Sequence, residues 1–158
     1  MMLVAALLRF YGLDWDDGHH LHPDERFISM VEEKITAPSG VWSYFDSAHS
    51  PLNPYNRGEG SFVYGTLPLF LTKAVSHAVG LTGYGGAYKV GRALSALFDL
   101  LSIWLVYRLT RRFTSRAYGL LAAGLFAFSP LAIQSSHFWT VETFLAAFSL
   151  LALLGCVR

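Results

Sequence analysis

From Ala117 to Val157 the chain carries one formally charged side chain, Glu142, and only His137 besides it can take up a proton to become charged near neutral pH. A stretch so apolar cannot form the surface of a soluble domain. In lipid it must be helical, because every backbone N–H and C=O has to find its partner within the segment. The rest of the chain agrees: of 158 residues, 53% are hydrophobic and 15% aromatic, which is high for a soluble domain of this length. The fold class expected is all-α, a polytopic membrane helix bundle of about four spans. The spans fall at 1–13, at Val90 to Tyr107, at Ala117 to Gln134 and at Val141 to Val157. Residues 1–13 reach only about 20 Å of a roughly 30 Å hydrocarbon layer and are read as a truncated first span, with a short interfacial anchor as the alternative. Gly119, Ala123 and Ala127, four apart, suit the close approach of a neighbouring helix, and Pro130 bends the span that contains it. Asp99 lies deep in its span, where an unpaired carboxylate is expensive, so it is expected to face other helices and to be paired or protonated.

Residues 14–89 are polar and hold most of the acids and five of the six histidines. This is a long loop outside the bilayer, expected to contain two interfacial helices. One begins at Pro23, a residue suited to the first helical position, followed by the acids Asp24 and Glu25 where unpaired N–H groups favour them. Phe27, Ile28, Val31 and Ile35 recur at helical spacing, with Arg26, Ser29, Glu33 and Lys34 opposite. On that pattern Asp24 projects to the buried side and Glu25 is turned about 100° away. The second helix runs from Thr66 to Leu81, with Thr66, Thr72, Lys73, Ser76 and His77 as a polar stripe opposite Leu67, Leu71, Ala74, Val75 and Ala78. Trp42, Tyr44, Phe45, Phe62 and Tyr64 suit the membrane interface or stacking on a sugar ring.

Arg108, Arg111, Arg112 and Arg116 mark a cytoplasmic loop. Counting from it, Asp24, Glu25, His137 and Glu142 all fall on the outer face, provided that Thr66 to Leu81 does not cross. A net charge of +1 offers no reason for a nucleic-acid partner, and the lone Cys156 excludes an internal disulfide. No cofactor is required by these residues. A divalent metal is the one that the chain leaves open, through His19, His20 and His22, although their spacing matches no recognised ligand set.

The Asp24-Glu25 pair, Tyr64-Gly65-Thr66-Leu67-Pro68, Val90-Gly91-Arg92-Ala93-Leu94-Ser95, Ala117 to Ala123, Ser129-Pro130 and Ser136 to Glu142 together resemble the N-terminal part of the GT-C membrane glycosyltransferases. The group in question is family 39, that of the protein O-mannosyltransferases and aminoarabinose transferases. Related chains more often carry Asp where this one has Glu142. The resemblance implies a multi-pass protein of the plasma membrane that transfers a sugar, with inversion, from a polyprenyl-phosphate carrier to an acceptor on the outer face. It also implies that residues 1–158 are a piece of a longer protein and inactive alone.

That chemistry needs a base for the acceptor and cations for the departing phosphate. The resemblance gives Asp24 and Glu25 the catalytic positions, although helix capping explains both acids from spacing alone. Lys73, Lys89, Arg92, His137 and Glu142 are the substrate-binding candidates, with snorkelling or structural ion pairing as the plain alternative for the charged ones. No metal ligand is assigned. Two other functions remain open at this stage, a lipid-phosphate-binding or scaffold module without catalysis and a metal-handling membrane protein.

Overall fold

A computed structural model describes residues 1–157. Among them the regular structure is helical: α1 (Met2–Phe10), α2 (Pro23–Lys34), α3 (Val41–Phe45), a 3-10 turn at Pro54–Arg57, α4 (Thr66–Val79), α5 (Ala87–Phe113), α6 (Arg116–Ala127), α7 (Pro130–Ser135) and α8 (Glu142–Cys156). The chain forms two compact units. One comprises Met1–Trp15 with the chain from Gly91 onward, the other Asp16–Val90, and the division falls inside α5.

The first unit buries polar side chains among apolar ones and exposes many apolar side chains. Arg9, Arg92, Ser95, Asp99, Ser102, Thr140 and Thr143 are buried, whereas Leu3, Leu7, Leu97, Leu121, Leu125 and Leu145 are exposed. Apolar exposure on this scale suits a lipid surround. The 27 residues of α5 extend about 40 Å, and it is the one helix among the described residues long and apolar enough to cross a membrane. The expected span from Ala117 to Gln134 is interrupted: α6 stops at Ala127, and α7 restarts at Pro130. Proline lacks an N–H and drives the preceding residue out of the helical region, and Ser129 is extended accordingly, with φ −65° and ψ 121°. With 12 and 15 residues, α6 and α8 are short of a full crossing on their own.

The small-residue stripe does what its spacing suggested. Gly119, Ala123 and Ala127 are the buried residues of α6. A methyl group on Gly119 would lie 3.1 Å from the Tyr107 ring and 3.2 Å from the Tyr107 carbonyl, so here α6 packs directly on α5. Ala123 and Ala127 join Ala5 and Ile103 in a small core, flanked by Leu100, Tyr107 and Phe126. Beside it Asp99 is paired with Arg9, which also donates to the carbonyls of Ala5, 3.2 Å away, and Ala127, 3.0 Å away. On α8, Phe144 and Phe148 pack on Phe98, with ring centroids 4.5 and 5.4 Å apart.

In the second unit α2 packs on α4, and the faces that meet are largely polar. α2 buries Glu25, Ser29 and Glu32 along with Ile28 and Val31, while α4 buries Thr72, Lys73 and Ser76 along with Leu69. Lys73 Nζ donates to the Glu32 carbonyl at 2.9 Å and lies 3.2 Å from its carboxylate. The middle of the polar stripe of α4, Thr72, Lys73 and Ser76, therefore faces inward, whereas Thr66 and His77 at its ends are exposed together with Leu67, Ala74 and Val79.

This corrects the orientation expected for the carboxylate pair. Glu25 is fully buried and Asp24 half-buried. The inward stripe of α2 runs through residues 25, 28, 29 and 32, so a pattern drawn from apolar residues alone was rotated by the polar ones that share this face. Ser29, expected outside, is inside for the same reason.

Candidate functional site

Asp24 occupies the first turn of α2, immediately after Pro23, where its carboxylate is near the unpaired N–H groups of the helix start. Its Oδ1 accepts a hydrogen bond of 2.8 Å from the Tyr64 hydroxyl. Among the described residues Oδ2 has no protein partner, and the side chain remains accessible. Tyr64 reaches this point because its ring packs on Phe27, three residues along the same side of α2, at 6.0 Å, and on Phe62 at 5.9 Å. Gly65 then turns the chain into α4 with φ 74°, a left-handed value that favours glycine. A carboxylate held at one oxygen and open at the other can accept a proton from an approaching hydroxyl or amine.

The other residues singled out from the sequence occupy different surroundings. Glu25 is enclosed within the fold. Lys73, a substrate-binding candidate with snorkelling as the alternative, is buried on Glu32, so its charge is already matched within the fold. Lys89, exposed on the first turn of α5, lies with its ammonium 5.6 Å from the Tyr88 ring centroid.

Within the first unit, Arg92 is fully buried, donates to the Leu13 carbonyl at 2.8 Å and stacks over Trp15 at 5.5 Å. His137 lies between two carbonyl oxygens, with Nδ1 2.7 Å from that of Ile133 and Nε2 2.9 Å from that of Tyr11. The His137 carbonyl in turn accepts from the Trp15 indole at 3.4 Å. Both residues therefore tie the segment after α1 into its unit. Glu142 opens α8, is exposed, and lines a cavity of about 200 Å³ together with Asp99, Ser129, Ser135 and Thr143.

The three neighbouring histidines do not converge. His19 Nδ1 lies 2.7 Å from the Asp16 carbonyl, and His20 stacks on Tyr84 at 4.1 Å and meets Tyr88 edge-on at 4.7 Å. His22 caps α2. Among the described residues no group of three or more His, Cys, Asp or Glu side chains is arranged to hold a metal ion. In the exposed loop, a hydrogen bond from His49 holds the Asp46 carboxyl below its ordinary value.

Sequence reasoning missed the Tyr64 contact with Asp24 and the Glu32 partner of Lys73, which lie 40 and 41 residues apart. The only available signal was the shared helix face of Asp24 and Phe27 together with the aromatic preceding Gly65.

A family model described as dolichyl-phosphate-mannose-protein mannosyltransferase matches residues 78–158, somewhat more than half of the chain. The match takes in α5 to α8, and with them Lys89, Arg92, His137 and Glu142; Asp24, Glu25 and Lys73 precede it. No curated protein and no solved structure matches the chain.

Proposed function

We infer, from the premise that this chain belongs to the dolichyl-phosphate-mannose-protein mannosyltransferase family, that it supplies the base and part of the sugar-donor site of a membrane glycosyltransferase. Membership makes it a glycosyltransferase at the level of class, and with the long apolar α5 it supports location in a membrane. The finer reading is transfer from a polyprenyl-phosphate carrier to an acceptor on the outer face of a multi-pass protein, with inversion at the anomeric carbon.

The observation that carries the mechanism is the Asp24 carboxylate, accessible, fixed at Oδ1 and open at Oδ2. As the acceptor oxygen or nitrogen bonds to the anomeric carbon, its proton passes to Oδ2. The bond from that carbon to the carrier phosphate breaks, and the electron pair leaves with the phosphate. The departing anion calls for cations rather than an acid. Lys89 at the start of α5 is exposed where an anion can reach it, whereas Lys73 is buried on Glu32. Glu142, with the hydroxyls of Ser129, Ser135 and Thr143 on the same cavity, suits hydrogen bonding to a polyhydroxylated ligand.

The test uses membranes from cells that make the natural protein containing this chain, supplied with a polyprenyl-phosphate-linked mannose labelled in the sugar. Label should leave the lipid and appear on an acceptor, and it should not do so in membranes lacking the protein. Donor binding without any transfer would overturn the reading in favour of a lipid-phosphate-binding module.

A further inference from the structure

We propose that Tyr64 is the positioning residue for the base, holding the Asp24 carboxylate by Oδ1 so that Oδ2 alone faces the acceptor. The inference rests on the reading of Asp24 as the base and adds a residue to it. Asp24 is half-buried in the first turn of α2, and the hydrogen bond to its carboxylate comes from Tyr64, outside its own helix. A half-buried side chain of this kind would sample several rotamers, each presenting a different lone pair to the acceptor. The 2.8 Å hydrogen bond removes that freedom before substrate arrives.

The donor is itself well anchored. Phe27 and Phe62 flank the Tyr64 ring, with their own centroids 6.3 Å apart, so the three aromatics form one cluster on the Asp24 side of α2. The phenolic O–H lies at the end of a rigid ring with two rotatable bonds, and the ring is held along its length. The direction of the bond is settled by chemistry: an ionised carboxylate only accepts, so the tyrosine donates. The hydroxyl occupies one oxygen and leaves the other for proton transfer. A lysine in its place would neutralise the base, and a serine could not span the distance from the start of α4.

Tyr64→Phe tests this, because it keeps the ring on Phe27 and Phe62 and removes only the donor. In the natural protein in its membrane, kcat should fall about tenfold or more, with donor affinity unchanged. The decisive reading is the cycle with Asp24→Asn. If the tyrosine acts only through the aspartate, Tyr64→Phe should cost nothing further once Asp24 is Asn, whereas a structural role would give additive losses. A large loss for Asp24→Asn with normal kcat for Tyr64→Phe, or additive losses in the double variant, would overturn the Tyr64 assignment while leaving the base in place. Normal turnover by Asp24→Asn would overturn both.

Discussion

Replacing Asp99 by leucine should destabilise the protein more than it changes the turnover of the molecules that remain folded. The side chains of Arg9 and Asp99 are 0% and 4% exposed, so removing one partner leaves the other buried. Breaking such a pair typically costs about 3–5 kcal/mol. Arg9 keeps its hydrogen bonds to the Ala5 and Ala127 carbonyls, which places the expected loss near the lower end, about 3 kcal/mol. At 1.4 kcal/mol per decade this lowers the ratio of folded to unfolded protein by roughly a hundredfold. Asp99→Asn keeps an acceptor for the guanidinium and should cost about half as much. Arg9→Met combined with Asp99→Leu removes both charges and should recover most of the loss, because an apolar pair of similar volume needs no compensation. The assay is equilibrium unfolding in mixed detergent micelles, with sugar transfer normalised to folded protein. Stability of Asp99→Leu within about 0.5 kcal/mol of the wild type would refute the reasoning, as would a double variant whose losses simply add.

Gly91→Ala should lower stability by about 1–3 kcal/mol, read from the unfolding midpoint, because the added methyl runs into the buried Trp139 indole; an unchanged midpoint would show that the indole has room to move. Lys73→Met should leave the Glu32 carboxylate buried and uncompensated, costing about 3 kcal/mol, while donor affinity per folded molecule stays the same. The opposite outcome, normal stability with weakened donor binding, would return Lys73 to the substrate site.

The elements were legible where the sequence carried strong local signals. Pro23 with two acids set the start of α2, and the four-residue repeat of small side chains located the contact face of α6, whereas α4 ends at Val79, where Gly80 takes a left-handed turn, short of the expected Leu81. Asp99 announced a partner by its depth alone. That the partner is Arg9 was not legible, because the two are 90 residues apart and nothing local couples them. Two errors share one cause. The apolar pattern of α2 assumes an oily interface, but Glu25, Ser29 and Glu32 turn inward, and the buried edge shifts by one position on the helix as a result. The proline at 130 was read as a bend, whereas the extended Ser129 before it separates two helices.

The two candidate acids were legible in residue type, and their surroundings were not. Two adjacent acids at a helix start fit a base and fit capping equally well, and spacing cannot rank them. What differs between the two acids in the fold is access: the Asp24 carboxylate reaches the surface with one oxygen held by Tyr64, while Glu25 lies wholly inside.

The most direct measurement is transfer of sugar from a polyprenyl-phosphate donor by Asp24→Asn and Glu25→Gln in the same membranes, with donor affinity determined alongside. Asn keeps the size of the side chain and its bond from Tyr64 but gives up the basic oxygen. A positioned base contributes about 10²–10⁴-fold, so turnover by Asp24→Asn should fall by that order with donor affinity little changed. Glu25→Gln should lose stability more than turnover per folded molecule, as befits a buried carboxylate. Near-normal transfer by Asp24→Asn, or a larger loss of turnover per folded molecule in Glu25→Gln, would contradict the assignment of the base.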